Sequence, residues 1–398
     1  MIPPRVTIYG LFGTPNFGDE LFSKVIVEAI RAGGSQAEVA VFTGDRAHTL
    51  RNVPAVRTVT GYPLPNRGWG EWLDGLRAIR DSDLLLFGGG GLFNEIFLRA
   101  GIPAYGIILG TARLFGVPYV IHGIEIGYVE SATNRWITGW CLRNAERLYC
   151  RSERSYRRAR EEYGADPVLG EDLNQAYLGA AMGVGADAWV GDECWVNLQH
   201  SVLTDDPFVD ELLAAQTQPV QFLINKPSER EPLIRRFGIA PSQITLAETV
   251  EATMDTFGRG ASFVTERFHF TMLALQSNRP TTVIISSSKV RDLLDRFADD
   301  KDVPHEILRA ASDTEREVRY YPGSPAQGEV VARWAARSGD QLADTVALIT
   351  DLRSSGARGP RLRPSVLPFL GACAVALVGF YVMDRYRPLN RSLQLKVT

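Results

Sequence analysis

The sequence is poor in cysteine. Its 398 residues include only four cysteines, and no two of them stand at the spacing of a metal-binding pair: Cys141, Cys150, Cys194 and Cys373. This pattern excludes a disulfide framework and a cysteine-based metal site, and it fits a reducing compartment. No other cluster of metal ligands stands out in the sequence, so we predict neither a bound metal ion nor a cofactor.

An excess of positive charge is also missing. The net charge is -3, with arginines and acidic residues spread along the chain, so general nucleic-acid binding is not expected. The glycines at residues 10–18 are not spaced as in the dinucleotide-binding fingerprint, so we predict no NAD. The chain begins Met-Ile-Pro-Pro-Arg and leads directly into a predicted strand, so we expect no signal peptide.

Short apolar or β-branched runs alternate with amphipathic helices in both halves of the chain. This repeated pattern predicts an α/β fold of two Rossmann-like parallel-sheet domains that face each other across a cleft. A long helix near residues 329–352 is a candidate to cross back onto the first domain. The predicted boundaries are 1–177 for the first domain, 178–192 for an interdomain linker, 193–352 for the second domain, 353–364 for a basic linker, 365–383 for an apolar helix and 384–398 for a short tail.

The stretch at residues 260–289 carries the most informative polar side chains. It reads as a buried strand, a helix beginning at Phe268 and a second β-branched strand. Arg267 and His269 therefore lie where a strand gives way to a helix N-terminus, and open α/β sheets bind ligands and anions there. Arginine offers a fork for phosphate or carboxylate, and histidine exchanges a proton near neutral pH. In the alternative interpretation, His269 packs on its own helix and Arg267 forms a surface ion pair.

The loop after the first predicted strand contains three further candidate residues. Asn16, Gly18 and Asp19 lie between a glycine-rich turn and the first predicted helix. A glycine-rich turn lets the backbone approach a ligand closely, and a polar side chain there can reach a ligand hydroxyl. Alternatively, Asn16 forms the turn and Asp19 caps the helix.

Four consecutive glycines at residues 88–91 follow another predicted strand. Their conformational entropy makes them costly, so they indicate a close backbone approach to a ligand or to the other domain, with Gly89 and Gly90 at the centre. A tight turn is the alternative. Arg151 lies at the end of a later predicted strand and is a candidate for the same edge of the sheet.

These motifs occur in one order along the chain. Taken together they resemble the polysaccharide pyruvyl transferase family over about residues 5–300: Asn16-Phe-Gly-Asp-Glu20, the glycines at 88–91, the element Arg151 to Ser155, Thr265-Glu-Arg-Phe-His269 and Lys289. The resemblance implies a glycosyltransferase-B-like pair of domains. It also implies phosphoenolpyruvate as donor and a hydroxyl pair on a glycan or lipid-linked glycan as acceptor. The product would be a pyruvate ketal.

The resemblance also implies roles for single residues. The family's Arg-x-His corresponds to Arg267 and His269, and its lysine corresponds to Lys289. Arg267 would clamp the anionic donor, Lys289 would neutralise charge, and His269 would protonate the enol methylene or assist the departure of phosphate. Asp19 is a candidate base. The other predicted donor-binding residues are Asn16, Gly18, Gly89, Gly90 and Arg151.

Two segments depart from the family's pattern. Residues 122–127, His-Gly-Ile-Glu-Ile-Gly, place an acid where a neutral residue is usual. Residues 171–175 match the family's Asp-Pro only loosely. Two other functions therefore stay open: a nucleotide-sugar-dependent glycosyltransferase, which would bind a nucleotide sugar instead of phosphoenolpyruvate, and a non-catalytic, membrane-bound glycan-binding or assembly protein, which would show no turnover.

The C-terminal part contains 19 residues without a charge, at 365–383. That length is just adequate for a membrane-spanning helix. Arginines flank both ends, so their distribution does not define the orientation. Together with a cytosolic donor and the expected lack of a signal peptide, this run predicts a single-pass C-terminal anchor with the catalytic domain in the cytoplasm. A buried helix of a soluble fold is the alternative.

Overall fold

The computed structural model describes residues 3–34, 36–64, 67–95, 99–182, 191–199, 201–204, 206–299, 303–312, 315–354 and 362–386. Residues 183–190 of the predicted interdomain linker, 355–361 of the predicted basic linker and 387–398 of the predicted tail lie outside this part of the chain. The chain divides into two compact units. The first takes the described residues of Met1–Thr14, Asp19–Leu173 and Arg337–Lys396, and the second takes those of Pro15–Gly18 and Asn174–Ala336.

The first unit is built on a seven-stranded parallel sheet in the order β3-β2-β1-β4-β5-β6-β7. Its strands are β1 (Arg5–Tyr9), β2 (Glu38–Phe42), β3 (Arg57–Val59), β4 (Leu84–Phe93), β5 (Tyr119–Ile126), β6 (Arg147–Cys150) and β7 (Val168–Leu169). Its helices are α1 (Phe17–Ala32), α2 (Arg46–Asn52), α3 (Trp69–Arg80), α4 (Gly101–Leu114), α5 (Ala132–Arg143) and α6 (Glu153–Arg157). Every residue of β5 is buried, as expected for a strand with both faces covered by helices.

The second unit contains the sheet β10-β9-β8-β11-β12-β14-β13. Its strands are β8 (Glu193–Asn197), β9 (Val220–Ile224), β10 (Ile244–Leu246), β11 (Gly260–Thr265), β12 (Thr281–Ile284), β13 (Glu306–Arg309) and β14 (Val318–Tyr321). Its helices are α7 (Asn174–Met182), α8 (Pro207–Ala214), α9 (Arg230–Phe237), α10 (Val250–Gly258), α11 (Phe268–Gln276) and α12 (Ser288–Asp299). Strands β8 to β12 are parallel, whereas β13 and β14 add an antiparallel edge.

The two sheets share the order of their first five strands. In each, the first strand of the unit has the second strand on one side and the fourth on the other, so the chain direction across the sheet reverses between β1 and β4 and between β8 and β11. Ligands of such folds bind at the carboxyl ends of the strands beside this reversal. The structure confirms the predicted α/β fold with two Rossmann-like parallel-sheet domains.

Two long helices follow the second sheet. The helix α13 (Pro325–Ser354) crosses the unit boundary at Arg337, so the second unit ends inside this helix and before residue 352. The helix α14 (Leu367–Tyr386) belongs to the first unit. The segment Pro364–Val382, which includes most of α14, is long and apolar enough to cross a membrane, judged by length and composition alone.

Candidate functional site

The carboxyl end of β11 leads directly into the segment with Arg267 and His269. Strand β11 is almost entirely buried, and the chain then turns into α11, whose residues from Phe270 to Gln276 are all buried. Arg267 has extended backbone angles and precedes the first turn of α11, with no side-chain cap of its own. The two predicted residues therefore lie at the N-terminus of a core helix, beside the reversal between β8 and β11.

Glu266 holds this segment in place. Its carboxylate is buried and accepts hydrogen bonds from the backbone N–H groups of Gln199, at 2.7 Å, and Ser201, at 3.1 Å. The guanidinium of Arg316 donates a third bond, at 3.0 Å. Glu266 thus links the carboxyl ends of β8 and β11. This role of Glu266 was not predicted from the sequence. The available signal was an acid immediately after a buried strand and before a candidate arginine.

Gly18 leaves the space that the ring of His269 occupies. A Cβ atom added to Gly18 would lie 1.8 Å from His269 Nδ1, so any larger residue at this position would have to displace the imidazole. The neighbouring rings of Phe17 and Phe270 pack at 5.4 Å between centroids, and Asn174 Nδ2 donates to the carbonyl of Gly18 at 3.0 Å. The structure therefore brings the Asn16–Gly18 motif, the Arg267–His269 motif and Asn174 together in the second unit.

The guanidinium of Arg267 already has one anionic neighbour. Its Nη2 donates to Glu229, which follows β9, while its buried Nε has no hydrogen-bond partner among the described residues. Arg267 therefore does form an ion pair, as the alternative interpretation predicts, but this pair is half-buried and uses only one side of the guanidinium. The remaining donor gives Arg267 the capacity for an anionic ligand.

Lys289 lies in the first turn of α12, after the carboxyl end of β12. Because β12 is the parallel neighbour of β11, Lys289 and Arg267 both lie at the carboxyl-end side of the sheet. The hydroxyl of Ser286 donates to the carbonyl of Glu266 at 3.2 Å and links these two strand ends. Two cationic residues, a histidine and the N-termini of α11 and α12 thus follow the carboxyl ends of two neighbouring strands, which is an arrangement suited to an anion with more than one negative charge.

The glycine run at residues 88–91 continues β4 and is not a turn. Gly88 lies against the backbone of His122, where an added Cβ would be 2.1 Å from its carbonyl oxygen. At Gly89 an added Cβ would meet the ring of Phe22 at 3.1 Å. Packing inside the first unit therefore explains these two glycines. Next to Gly90, the nearest atom to an added Cβ is a carboxylate oxygen of Asp19, at 3.8 Å.

Asp19 and Glu20 are both buried in the first turn of α1. Glu20 accepts hydrogen bonds from the backbone N–H groups of Gly13, at 2.7 Å, and Thr14, at 3.2 Å, and so organises the loop between β1 and α1. Burial raises the pKa of Glu20 to about 7, in spite of these two bonds and with a further contribution from Asp19 and Asp45. Asn16, in the same loop, is exposed.

Arg151 is enclosed by acids. It donates to Asp172 at 2.9 Å and to Glu125 at 3.4 Å, and all three side chains are buried. Arg154 donates to the other oxygen of Glu125 at 2.9 Å, and the two arginines hold the pKa of Glu125 below its usual value against the effect of burial. The acid that departs from the family's pattern therefore neutralises Arg151. This pairing favours a structural role for Arg151, and its predicted donor contact stays a prediction.

His122 also has a structural environment. The segment 122–127 belongs largely to β5, and the imidazole is fully buried, stacks on Tyr149 and bonds to Thr345 Oγ1 at 2.7 Å. Burial lowers the pKa of His122 to about 3, so this side chain is neutral at physiological pH. It joins β5 to α13 within the first unit.

Two Rossmann-type units in one chain are the components of a GT-B-like fold. The UDP-GlcNAc 2-epimerase from Neisseria meningitidis bound to UDP-GlcNAc has this fold, with a TM-score of 0.50, 11% identity, and coverage of 86% of this chain and 99% of that chain. The UDP-GlcNAc 2-epimerase from Methanocaldococcus jannaschii aligns to this chain with a TM-score of 0.48 and 12% identity, and the alignment covers 73% of this chain and 86% of that chain. MurG from Acinetobacter baumannii aligns with a TM-score of 0.43 and 12% identity, and the alignment covers 88% of this chain and 100% of that chain.

The chain belongs to the polysaccharide pyruvyl transferase family, whose sequence model matches residues 16–288. This confirms the resemblance that the ordered motifs indicate. No curated protein matches the chain. The matched region begins at Asn16 and includes Gly18, Arg267 and His269, the residues that the structure brings into one unit.

Proposed function

We propose that the protein transfers the pyruvyl group of phosphoenolpyruvate to two hydroxyls of one sugar, in a cell-surface polysaccharide or its lipid-linked precursor, and forms a pyruvate ketal. The observation that carries this proposal is the packing of His269 against Gly18. His269 and Arg267 both lie at the N-terminus of α11, and the contact with Gly18 places the imidazole against the Asn16–Gly18 motif. Lys289 follows β12, the strand next to β11. Family membership supports the transfer of a pyruvyl group to a polysaccharide.

The donor fits the charges at this edge of the second sheet. Phosphoenolpyruvate carries a carboxylate and a phosphate, and it needs guanidinium, ammonium and N–H donors in place of water. Arg267 would bind one of these groups through the side of its fork that Glu229 leaves open. Lys289 and the N-termini of α11 and α12 would share the remaining negative charge.

His269 is the proposed general acid. As imidazolium it gives a proton to the methylene carbon of the donor, which becomes a methyl group and leaves an oxocarbenium-like centre at C2. The first sugar hydroxyl attacks C2 and loses its proton to a base. The second hydroxyl then displaces phosphate, its proton leaves with the phosphate, and the ketal ring closes. Asp19, the residue after Gly18 in the chain, stays the predicted base.

We also propose that the protein works at a membrane, with the apolar helix at residues 365–383 as its contact and both units in the cytoplasm. The length and composition of this helix support membrane association. A cytosolic donor and a lipid-linked acceptor would meet at that surface.

The test is incubation of the purified protein with phosphoenolpyruvate and candidate glycan acceptors, including lipid-linked ones. We expect release of inorganic phosphate together with an acid-labile gain of mass on the acceptor. His269→Asn should keep donor binding and lose about two to four orders of magnitude in turnover. Turnover of a UDP- or GDP-sugar without phosphoenolpyruvate would identify a glycosyltransferase instead. Glycan binding without turnover, unchanged in His269→Asn, would identify a binding protein.

A further inference from the structure

The helix α14 has one buried face and one exposed face, and both are apolar. The buried face carries Phe369, Cys373, Leu377 and Phe380 at the spacing of one helix stripe. The exposed face carries large apolar side chains at Leu367, Val375, Val378, Tyr381 and Val382. Within the segment Pro364–Val382, only 22% of the residues in the most apolar stretch of 18 are buried. A helix on the surface of a soluble protein has a polar outer face, so this outer face requires an apolar partner.

The buried face is attached to the first unit by close packing. Gly106 of α4 lies against Cys373, where an added Cβ would be 2.8 Å from Sγ, and Gly110 lies against Leu370 at 2.7 Å. The ring of Phe369 stacks on Trp140 of α5 at 3.6 Å between centroids. Phe369 and Cys373 are part of the same buried core as β4 and β5. This face is therefore an integral part of the unit and not a loosely tethered tail.

The direction of α14 follows from the same contacts. Its approach is held at the end of α4, where the N–H of Arg363 donates to the carbonyl of Leu114 at 2.7 Å. Further along, Leu377 and Phe380 form a small cluster with Ala100, which precedes the first residue of α4. The helix α14 thus runs antiparallel to α4. The helix α4 begins after the carboxyl end of β4. The C-terminal end of α14 therefore lies on the side of the first sheet where its strands have their carboxyl ends.

The surroundings of the exposed face suit the surface of a bilayer. Trp136, on α5, is exposed and its ring lies 5.3 Å from that of Phe369. Arg135 is exposed beside it. At the start of α14, Arg80, Arg113 and Arg363 line a cavity of about 210 Å³ together with Asp83 and Glu146. Exposed aromatic rings and arginines around an apolar face are typical of contact with lipid headgroups.

We propose that α14 lies in the plane of a lipid bilayer, with its inner face docked on the first unit and its outer face inserted among the lipids. Crossing the bilayer in the docked state would draw Arg113 and the neighbouring sheet into hydrocarbon, which is strongly unfavourable. Crossing in an undocked state would expose the partner surface on α4 and α5. The proposal differs from the single-pass anchor predicted from the sequence in that α14 stays on one side of the bilayer.

The in-plane helix deepens the proposed function and rests on it for its acceptor. A lipid-linked glycan would be presented at the membrane surface beside the carboxyl edge of the first sheet, where the far end of α14 lies. The enzyme would then act on acceptors that diffuse in the bilayer plane.

The first test determines the position of the C-terminus. The full-length protein with a C-terminal peptide tag is produced in cells, and inside-out and right-side-out membrane vesicles are treated with protease. An in-plane helix leaves the tag and the catalytic units on the same side, so both are digested in the same vesicles. Digestion of the tag and the catalytic units in opposite vesicles would show a spanning helix and overturn the proposal.

The second test uses the purified full-length protein and vesicles of phosphatidylcholine with or without phosphatidylglycerol. We expect co-sedimentation that is stronger with the anionic lipid, and about tenfold weaker binding for Val375→Glu, at a side chain that is 75% exposed. Leu203→Glu is the matched control, because Leu203 is 79% exposed in the second unit and should bind as the unmodified protein does. Equal binding of both variants, or a dimer that Val375→Glu dissociates without vesicles, would overturn the proposal.

The two proposals fail separately. Release of phosphate with a soluble acceptor in the absence of vesicle binding would remove the in-plane helix and leave the reaction. Vesicle binding without any turnover of phosphoenolpyruvate would remove the reaction and leave the membrane contact. Val375→Glu should keep its turnover of a soluble acceptor, because Val375 lies outside the proposed donor site.

Discussion

At the scale of single residues, Gly18 decides where His269 can lie. An alanine at this position would place its Cβ 1.8 Å from the imidazole, which is far inside van der Waals contact. We therefore expect Gly18→Ala to displace His269 and to reduce turnover about a hundredfold, because a general acid must be held within hydrogen-bond reach of its target. The measurement is phosphate release, with circular dichroism to verify the fold.

The control for this substitution is Gly70→Ala. Gly70 lies in α3 of the first unit with no atom within 4 Å of an added Cβ, so alanine should be tolerated there and should favour the helix. Turnover by Gly18→Ala at the level of Gly70→Ala would show that the position of His269 has no part in the reaction.

Arg267 is the residue whose loss should affect donor affinity most directly. Arg267→Ala removes a guanidinium with a buried Nε that lacks a partner among the described residues, and we expect binding of phosphoenolpyruvate to weaken at least about tenfold. Glu229→Gln keeps the guanidinium and a neutral acceptor for it, so this variant should bind the donor nearly as well as the unmodified protein. Calorimetric titration measures both. Unchanged affinity in Arg267→Ala would refute the assigned contact.

Glu20 makes the stability of the first unit depend on pH. Its pKa rises from 4.5 to about 7 on folding, so its contribution to stability is complete below about pH 4.5 and is lost as the pH rises through 7. A shift of this size corresponds to about 3 kcal/mol. The unmodified protein should therefore lose stability relative to Glu20→Gln as the pH is raised from 5 to 8. We expect the difference between their free energies of unfolding to change by up to about this amount. Urea unfolding at both pH values measures it, and a constant difference would contradict the burial argument.

At the scale of secondary-structure elements, the glycine run of β4 serves the packing of the sheet. An alanine at Gly88 would meet the carbonyl oxygen of His122 at 2.1 Å, and this atom cannot move without displacing β5. Gly91→Ala is the matched control, because the nearest atom is 4.0 Å away and the backbone angles are ordinary. We expect Gly88→Ala to lower the melting temperature by several degrees and Gly91→Ala to leave it nearly unchanged. Equal melting temperatures would show that β4 and β5 can separate locally.

The elements themselves were largely predictable. Strand β1 forms at the strand predicted after Met-Ile-Pro-Pro-Arg, because an apolar run is a local property of the sequence. Strand β4 includes the glycines at 88–91 that were expected to follow it, because they remain paired with β5, and a propensity argument ends a strand at glycine. The antiparallel strands β13 and β14 were not predicted, since they are short, carry charged residues and depend on pairing with β12.

At the scale of the whole molecule, the C-terminal helix should be a structural requirement of the first unit. Deletion of residues 362–398 would remove Phe369, Cys373, Leu377 and Phe380 from their buried positions and expose the facing surface of α4 and α5. We expect a loss of roughly 5 kcal/mol of stability and aggregation of the truncated protein. Thermal unfolding and light scattering measure both. A detachable anchor would instead leave a stable, monodisperse protein after the deletion.

The sequence by itself determined the fold class, the family and the places of Arg267, His269 and Lys289 at strand ends. These properties depend on local periodicity and on an ordered set of motifs, and both are written along one dimension. Only the tertiary structure decided which charges neutralise each other. In the first unit Glu125 meets Arg151, and in the second unit Glu229 meets Arg267 and Arg316 meets Glu266. The partners are far apart in the chain, and the folded sheets bring them together. The same holds for α14: composition marks it as apolar, but only packing against α4 separates its docked face from the face left for the membrane.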